Sequence, residues 1–201
     1  MSAVSPHTEN STGFRLAVVV EGSLGLAAVG LAALFGVSLR EQLAPTPVGV
    51  VEGALVGAVA TLPMLAVFWW VVSAEWKPFV ELHMQVTQMV RELFPRARLV
   101  ELAIIAVLAG VSEELLFRGV LQTVVARWTT PLVGLAVASL VFGGLHAISR
   151  LYFVLATLIG GYLGWLLLEC DDLTVPIVAH GLYDFVALEY LTRKRKSESL
   201  Q

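Results

Sequence analysis

The feature that most constrains this chain is the recurrence of apolar runs close to the length of a bilayer crossing. A helix needs about 20 mostly apolar residues to span membrane hydrocarbon. Six segments are candidates: about 14–39, 47–74, a third that begins near Leu99 and continues past Gly110 into a charged stretch at 113–118, 131–148, 151–168 and 173–191. Only 14% of the 201 residues are charged, against about a quarter in a soluble domain. That supply is too small to solvate a globular surface, and the apolar content also excludes disorder. The fold class expected is all-α: a polytopic membrane helix bundle of about six transmembrane helices, with no soluble domain.

The remaining composition narrows the partners. The net charge is −3 and no basic tract stands outside the C-terminus, so no nucleic-acid partner is expected. A lone cysteine, Cys170, rules out an internal disulfide framework and a cysteine metal cluster. The first 13 residues are polar and the apolar run after them is too long for a signal h-region, so no cleavable signal peptide is expected. Residues 1–13 read as a flexible cytoplasmic tail and 193–201 as a basic one.

Segment 75–98 differs in kind. It carries Lys77, Arg91, Arg96, Arg98 and three glutamates, while Leu82, Val86, Met89, Val90 and Leu93 recur at helical spacing. This fits an amphipathic helix on the membrane surface or, equally, a solvated helix packed on the spans. It links an N-terminal unit, 1–96, holding two spans, to a core at 97–192. With both termini inside, ten of the thirteen Lys and Arg residues fall on the cytoplasmic side, as the positive-inside rule asks. Pro45 and Pro47 precede the second run, which closes on Phe68, Trp69 and Trp70, an aromatic cluster suited to an interface. Gly49, Gly53 and Gly57 stand four apart, as do Gly160 and Gly164. Such faces serve packing within one bundle or, in the second reading, an oligomer contact.

Charged groups in hydrocarbon cost at least about 2.5 kcal/mol each, so each one needs a reason. Glu21 and Glu52 stand alone in the first two runs, near an interface, hydrogen-bonded to a neighbouring helix, or protonated; a direct chemical role is the minority reading. Glu101 and Glu189 are expected to reach water. The core is different: Glu113, Glu114 and Arg118 fall on the third run, Phe142 and His146 on the fourth, and His180 and Asp184 on the sixth. Six such polar groups on three helices point to chemistry.

Helical geometry suggests roles. Glu114 and Arg118 are four apart and can pair, acid first. Glu113 lies about 100° around the helix without that partner, so it is the carboxylate available to take a proton, as a general base. His180 and Asp184 project together, and Gly143 and Gly144 let a helix or substrate approach Phe142 and His146. Such a set suits activation of a water for attack on a carbonyl, with His180 and Asp184 at the oxyanion. Alternatively Glu113, His146 and His180 hold a zinc ion, two histidines and a carboxylate leaving an open position. The residues leave both mechanisms open. No serine stands in a G-x-S-x-G setting and there is no H-E-x-x-H; Ser112, beside Glu113, is expected to bond within its own helix.

The three motifs E-E-x-x-x-R, F-x-x-x-H and H-x-x-x-N/D, here Glu113-Glu114…Arg118, Phe142…His146 and His180…Asp184, resemble the CAAX prenyl protease and bacteriocin-processing family of intramembrane endopeptidases, also called CPBP or Abi. The likeness covers about 97–192, with 32 residues from Glu114 to His146 and 34 from His146 to His180. It implies an active site within the bilayer and hydrolysis of a peptide bond, Glu113 and His146 activating water while His180 and Asp184 assist. It also implies a peptide or protein substrate, which can itself be membrane-associated; the small size and short tails look bacterial, so a bacterial plasma membrane location is expected. The aspartate at 184, where eukaryotic prenyl proteases carry asparagine, argues mildly against a prenyl-protein substrate. Two other classes compete: a non-catalytic peptide-binding immunity or scaffold protein of the same fold, and a small proton-coupled transporter. No internal repeat links 14–74 to 99–191, which counts against the transporter.

Overall fold

The computed structural model describes residues 6–44 and 46–193. Pro45, residues 1–5 of the tail expected at 1–13 and residues 194–201 of the tail expected at 193–201 lie outside the described residues. The described chain is helical throughout: α1 (Pro6–Leu34), α2 (Pro47–Ser73), α3 (Lys77–Leu93), α4 (Leu99–Glu114), a π-helical stretch (Leu115–Gln122), α5 (Thr123–Trp128), α6 (Pro131–Leu145), α7 (Arg150–Cys170) and α8 (Thr174–Arg193). This is the all-α membrane bundle expected. Three helices are long and apolar enough to cross a membrane by length and composition: Thr12–Leu34, Pro47–Ser73 and Arg150–Cys170. Pro131–Leu145 is apolar but shorter.

The surface is inverted relative to a water-soluble protein. Leu26 is 76% exposed, Leu34 73% and Val59 66%, whereas Glu114 and Arg118 are fully buried. Large apolar faces of this kind need lipid around them.

Side-chain caps start three of the helices. Thr46 Oγ1 accepts from Gly49 N at 3.0 Å, Thr130 Oγ1 from Val133 N at 3.3 Å and Ser149 Oγ from Tyr152 N at 3.1 Å, each meeting one of the N–H groups a helix start leaves unpaired. Several boundaries differ from the sequence reading. Residues 6–13 are not a tail but the first turns of α1. The first helix also stops at Leu34 rather than near 39, because Gly36 takes φ +61° and Arg127 Nη1 donates to the Phe35 and Gly36 carbonyls at 3.2 and 3.1 Å. Glu101 does not reach water; it is buried and accepts from Arg98 N at 2.7 Å and Arg98 Nη2 at 3.0 Å.

Helix α8 runs through the bundle, against α2, α3, α4 and α7, while α4 lies between α1 and α8 and α6 packs on α7. The crossing of α4 and α8 depends on Gly110. A methyl group there would come within 2.8 Å of Gly181 N and 2.9 Å of Ile177 O, so only glycine allows this approach. The spaced glycines of α2 and α7 also pack within the chain: Gly57 faces Val175 and Val178 of α8, and Gly160 faces Phe142, Arg118 and Ser139. Helix α3 lays Phe79, Leu82 and Val90 on the bundle and touches α2 and α8.

Candidate active site

Because Gly110 brings α4 onto α8, Glu114, the last residue of α4, meets the histidine of α8. Glu114 Oε1 receives Arg118 Nη1 at 2.7 Å and His180 Nδ1 at 2.8 Å. Arg118 sits in the π-helical stretch, a widened turn of the kind that marks functional sites. Its Nη2 donates to Gly160 O at 2.8 Å, and its guanidinium carbon lies 4.7 Å from the centre of the Phe142 ring. The cation is thereby held by α4, α6 and α7 together, which is how a buried charge is tolerated.

Glu113 points the other way. It is 8% exposed, and its buried Oε2 has no hydrogen-bond partner among the described residues. His146 Nε2 lies 3.7 Å from it. His146 is not inside the fourth helix, as expected, but caps it with φ −94° and ψ 1°. Its ring still stacks on Phe142, centroids 4.4 Å apart, so the two share a side. His146 Nδ1 is 2.9 Å from the Phe142 carbonyl. A carbonyl only accepts, so Nδ1 carries the hydrogen and donates it, and in the neutral ring Nε2 presents a lone pair toward Glu113. Of the two glycines before it, Gly143 faces Thr157 and Phe153 of α7, while beside Gly144 there is open space.

His180 is enclosed. Beyond its Nδ1 contact to Glu114, its Nε2 lies 3.5 Å from Asp184 Oδ2. Among the described residues, no three His, Cys, Asp or Glu side chains converge as metal ligands. Glu113, His146 and His180 form no such set, since both His180 nitrogens face carboxylates. The residues present do not fit the zinc alternative.

A cavity of about 370 Å³ opens over these groups. Glu113, His146, His180 and Asp184 line it; Glu114 and Arg118 stand behind. Its apolar walls come from α2, α3, α4, α7 and α8, with Phe68, Leu82, Val86, Ile105 and Leu188 among them. Among the polar groups on the wall, Tyr152, Tyr183 and His83 escaped the sequence reading, whereas Glu21 stands out there, with a chemical role only as the minority reading. Tyr152 and Tyr183 gave no signal in a tyrosine-bearing apolar helix. Glu21 had one, a lone acid in an apolar run. It accepts from Ser112 Oγ at 2.6 Å, so Ser112 bonds to α1 rather than within its own helix. Glu52, the other lone acid, is exposed.

The all-helical bundle thus gathers acids and imidazoles around an internal cavity. Residues 95–186, which hold all six of the gathered polar residues, match the sequence model of the family described as Rce1-like, type II CAAX prenyl endopeptidase Rce1-like. The three motifs that carry the resemblance all lie within that matched segment. The uncharacterized protein YpbD of Bacillus subtilis (strain 168) is 31% identical over 119 residues, 55% of this chain and 59% of the relative. The chain therefore spans less than two thirds of that relative's length. No solved structure matches.

Proposed function

We propose that the chain is an intramembrane endopeptidase in which Glu113 and His146 activate a water for attack on a peptide carbonyl. The observation that carries this reading is the 3.7 Å separation of Glu113 Oε2 from His146 Nε2. It is too long for a direct hydrogen bond, yet a single water can touch both atoms. Both are acceptors, so the water donates a hydrogen to each and keeps its oxygen lone pairs for the carbonyl carbon. As the C–O bond forms, Glu113 takes the proton. It then delivers that proton to the amide nitrogen as the C–N bond breaks, leaving a carboxylic acid and an amine.

His180 faces the carbonyl side of this exchange. Held between the Glu114 and Asp184 carboxylates, His180 acts as the imidazolium: its Nδ1–H is spent on Glu114, and its Nε2–H, oriented by Asp184, serves the developing oxyanion. Arg118 takes no part in the bond changes; it fixes Glu114, and Glu114 fixes His180. No step passes through a metal. We place the chain in a bacterial plasma membrane, with about six spans, both termini and α3 on the cytoplasmic side, and a peptide or protein substrate reaching the cavity past α3. The lipid-compatible surface supports a membrane location, and the distribution of lysine and arginine supports the sidedness.

The test is incubation of the purified full-length chain with membrane-associated peptides in detergent, reading products by mass spectrometry with a chelator present. Cleavage that depends on Glu113 supports the proposal. Peptides that bind and stay intact point to the non-catalytic scaffold instead.

A further inference from the structure

The cavity holds a carboxylate that the water-activating pair does not use. Glu21 comes from α1, outside the segment matched by the family, and lines the cavity beside Glu113. One oxygen, Oε2, accepts from Ser112 Oγ at 2.6 Å; among the described residues Oε1 has no hydrogen-bond partner and Glu21 forms no ion pair. Ser112 directly precedes Glu113, so this bond pins the Glu21 side chain at the edge of the reacting centre. The Glu113 Oε2 atom, itself buried and unpartnered, faces the same space. Glu21, Glu113 and Asp184 all line the cavity, and no lysine or arginine does. Arg118 is spent on Glu114 and Gly160. A carboxylate fixed in a mostly apolar, low-dielectric wall attracts a cation more strongly than it would in water.

We infer that Glu21 is a specificity-determining residue: it forms an acidic subsite for a cationic group, a lysine or arginine side chain of the peptide bound in the cavity. This rests on the reading of the cavity as a peptide site. The occupant is then an apolar segment interrupted by one basic residue near the bond to be cut. The apolar walls take the flanking side chains, and Glu21 takes the charge at a fixed distance from Glu113.

The test is a recovery experiment with the full-length protein immobilised in detergent micelles. The probe is a pool of short apolar peptides, identical save for lysine, norleucine or glutamate at one position. Wild type is expected to retain the lysine peptides about tenfold over the glutamate ones, an ordinary worth for one partly buried charge pair. Glu21→Gln keeps the acceptor for Ser112 and should bring the three to near-equal recovery. Glu21→Lys should turn the preference toward glutamate, and Ser112→Ala, which leaves the charge in place, should retain most of the lysine preference. Equal recovery by wild type, recovery of none included, overturns the inference, as does an unchanged lysine preference in Glu21→Gln. Products in the eluate report on hydrolysis separately: lysine peptides retained but uncut would contradict the protease reading and leave the acidic subsite standing.

Discussion

Glu114 and His180 meet through one oxygen, His180 Nδ1 lying 2.8 Å from Glu114 Oε1, and the Arg118 guanidinium reaches that same atom at 2.7 Å. Three helical segments thus converge on a single buried atom. The brace of α4 and the orientation of His180 are one structure.

Removing either charge of that pair leaves the other buried without compensation, at a cost of about 3–5 kcal/mol. Arg118→Ala and Glu114→Ala should therefore lower the yield of folded protein and its thermal midpoint in detergent. Glu114→Gln, which still accepts from His180, should fold better than Glu114→Ala. An Arg118→Ala protein of normal yield and midpoint that lost only turnover would move Arg118 from the scaffold into the chemistry.

The same convergence requires α4 and α8 to touch at Gly110. Gly110→Ala adds a methyl group 2.8 Å from Gly181 N, a backbone atom that cannot rotate away. Overpacking of this kind costs about 1–3 kcal/mol. The variant should melt earlier in detergent and lose turnover as Glu114 withdraws from His180. A Gly110→Ala protein with wild-type melting would show that the helices cross less tightly than described.

The proposed topology puts α3 inside and the α7–α8 turn outside. Cys170, exposed and alone at that turn, should be labelled in intact cells by a membrane-impermeant maleimide. In a Cys170→Ser background, Gln85→Cys on α3 should be protected until the membrane is opened. Labelling of Gln85→Cys in intact cells would invert the layout.

What the sequence disclosed follows from what local rules can carry. The i, i+4 spacing of Glu114 and Arg118 was enough to read a pair, because both lie on one helix. The contact of Glu114 with His180 was not readable, since it depends on how closely α4 and α8 cross, and Gly110 gives no sign of its partner. The helix class followed from hydropathy alone. The end of α1 at Leu34 was missed, because the apolar run continues past the glycine that stops the helix. His146 was drawn into its helix for a related reason: spacing from Phe142 fits both a further turn and a cap. Glu21 was visible as an oddity, but its neighbour Ser112 is 91 residues away, beyond any local pattern.

The central claim is that Glu113 takes the proton from the attacking water, and one substitution tests it most directly. Glu113→Gln keeps the shape and the hydrogen-bonding reach of the side chain while removing its basicity. On a peptide that the wild type cleaves, the rate should fall by at least about 100-fold, the low end for loss of a general base, with folded yield unchanged. His146→Ala should cost about as much, and the double variant little more than either alone, because both act on one water. A Glu113→Gln protein that cuts the same peptide at the wild-type rate would contradict the account.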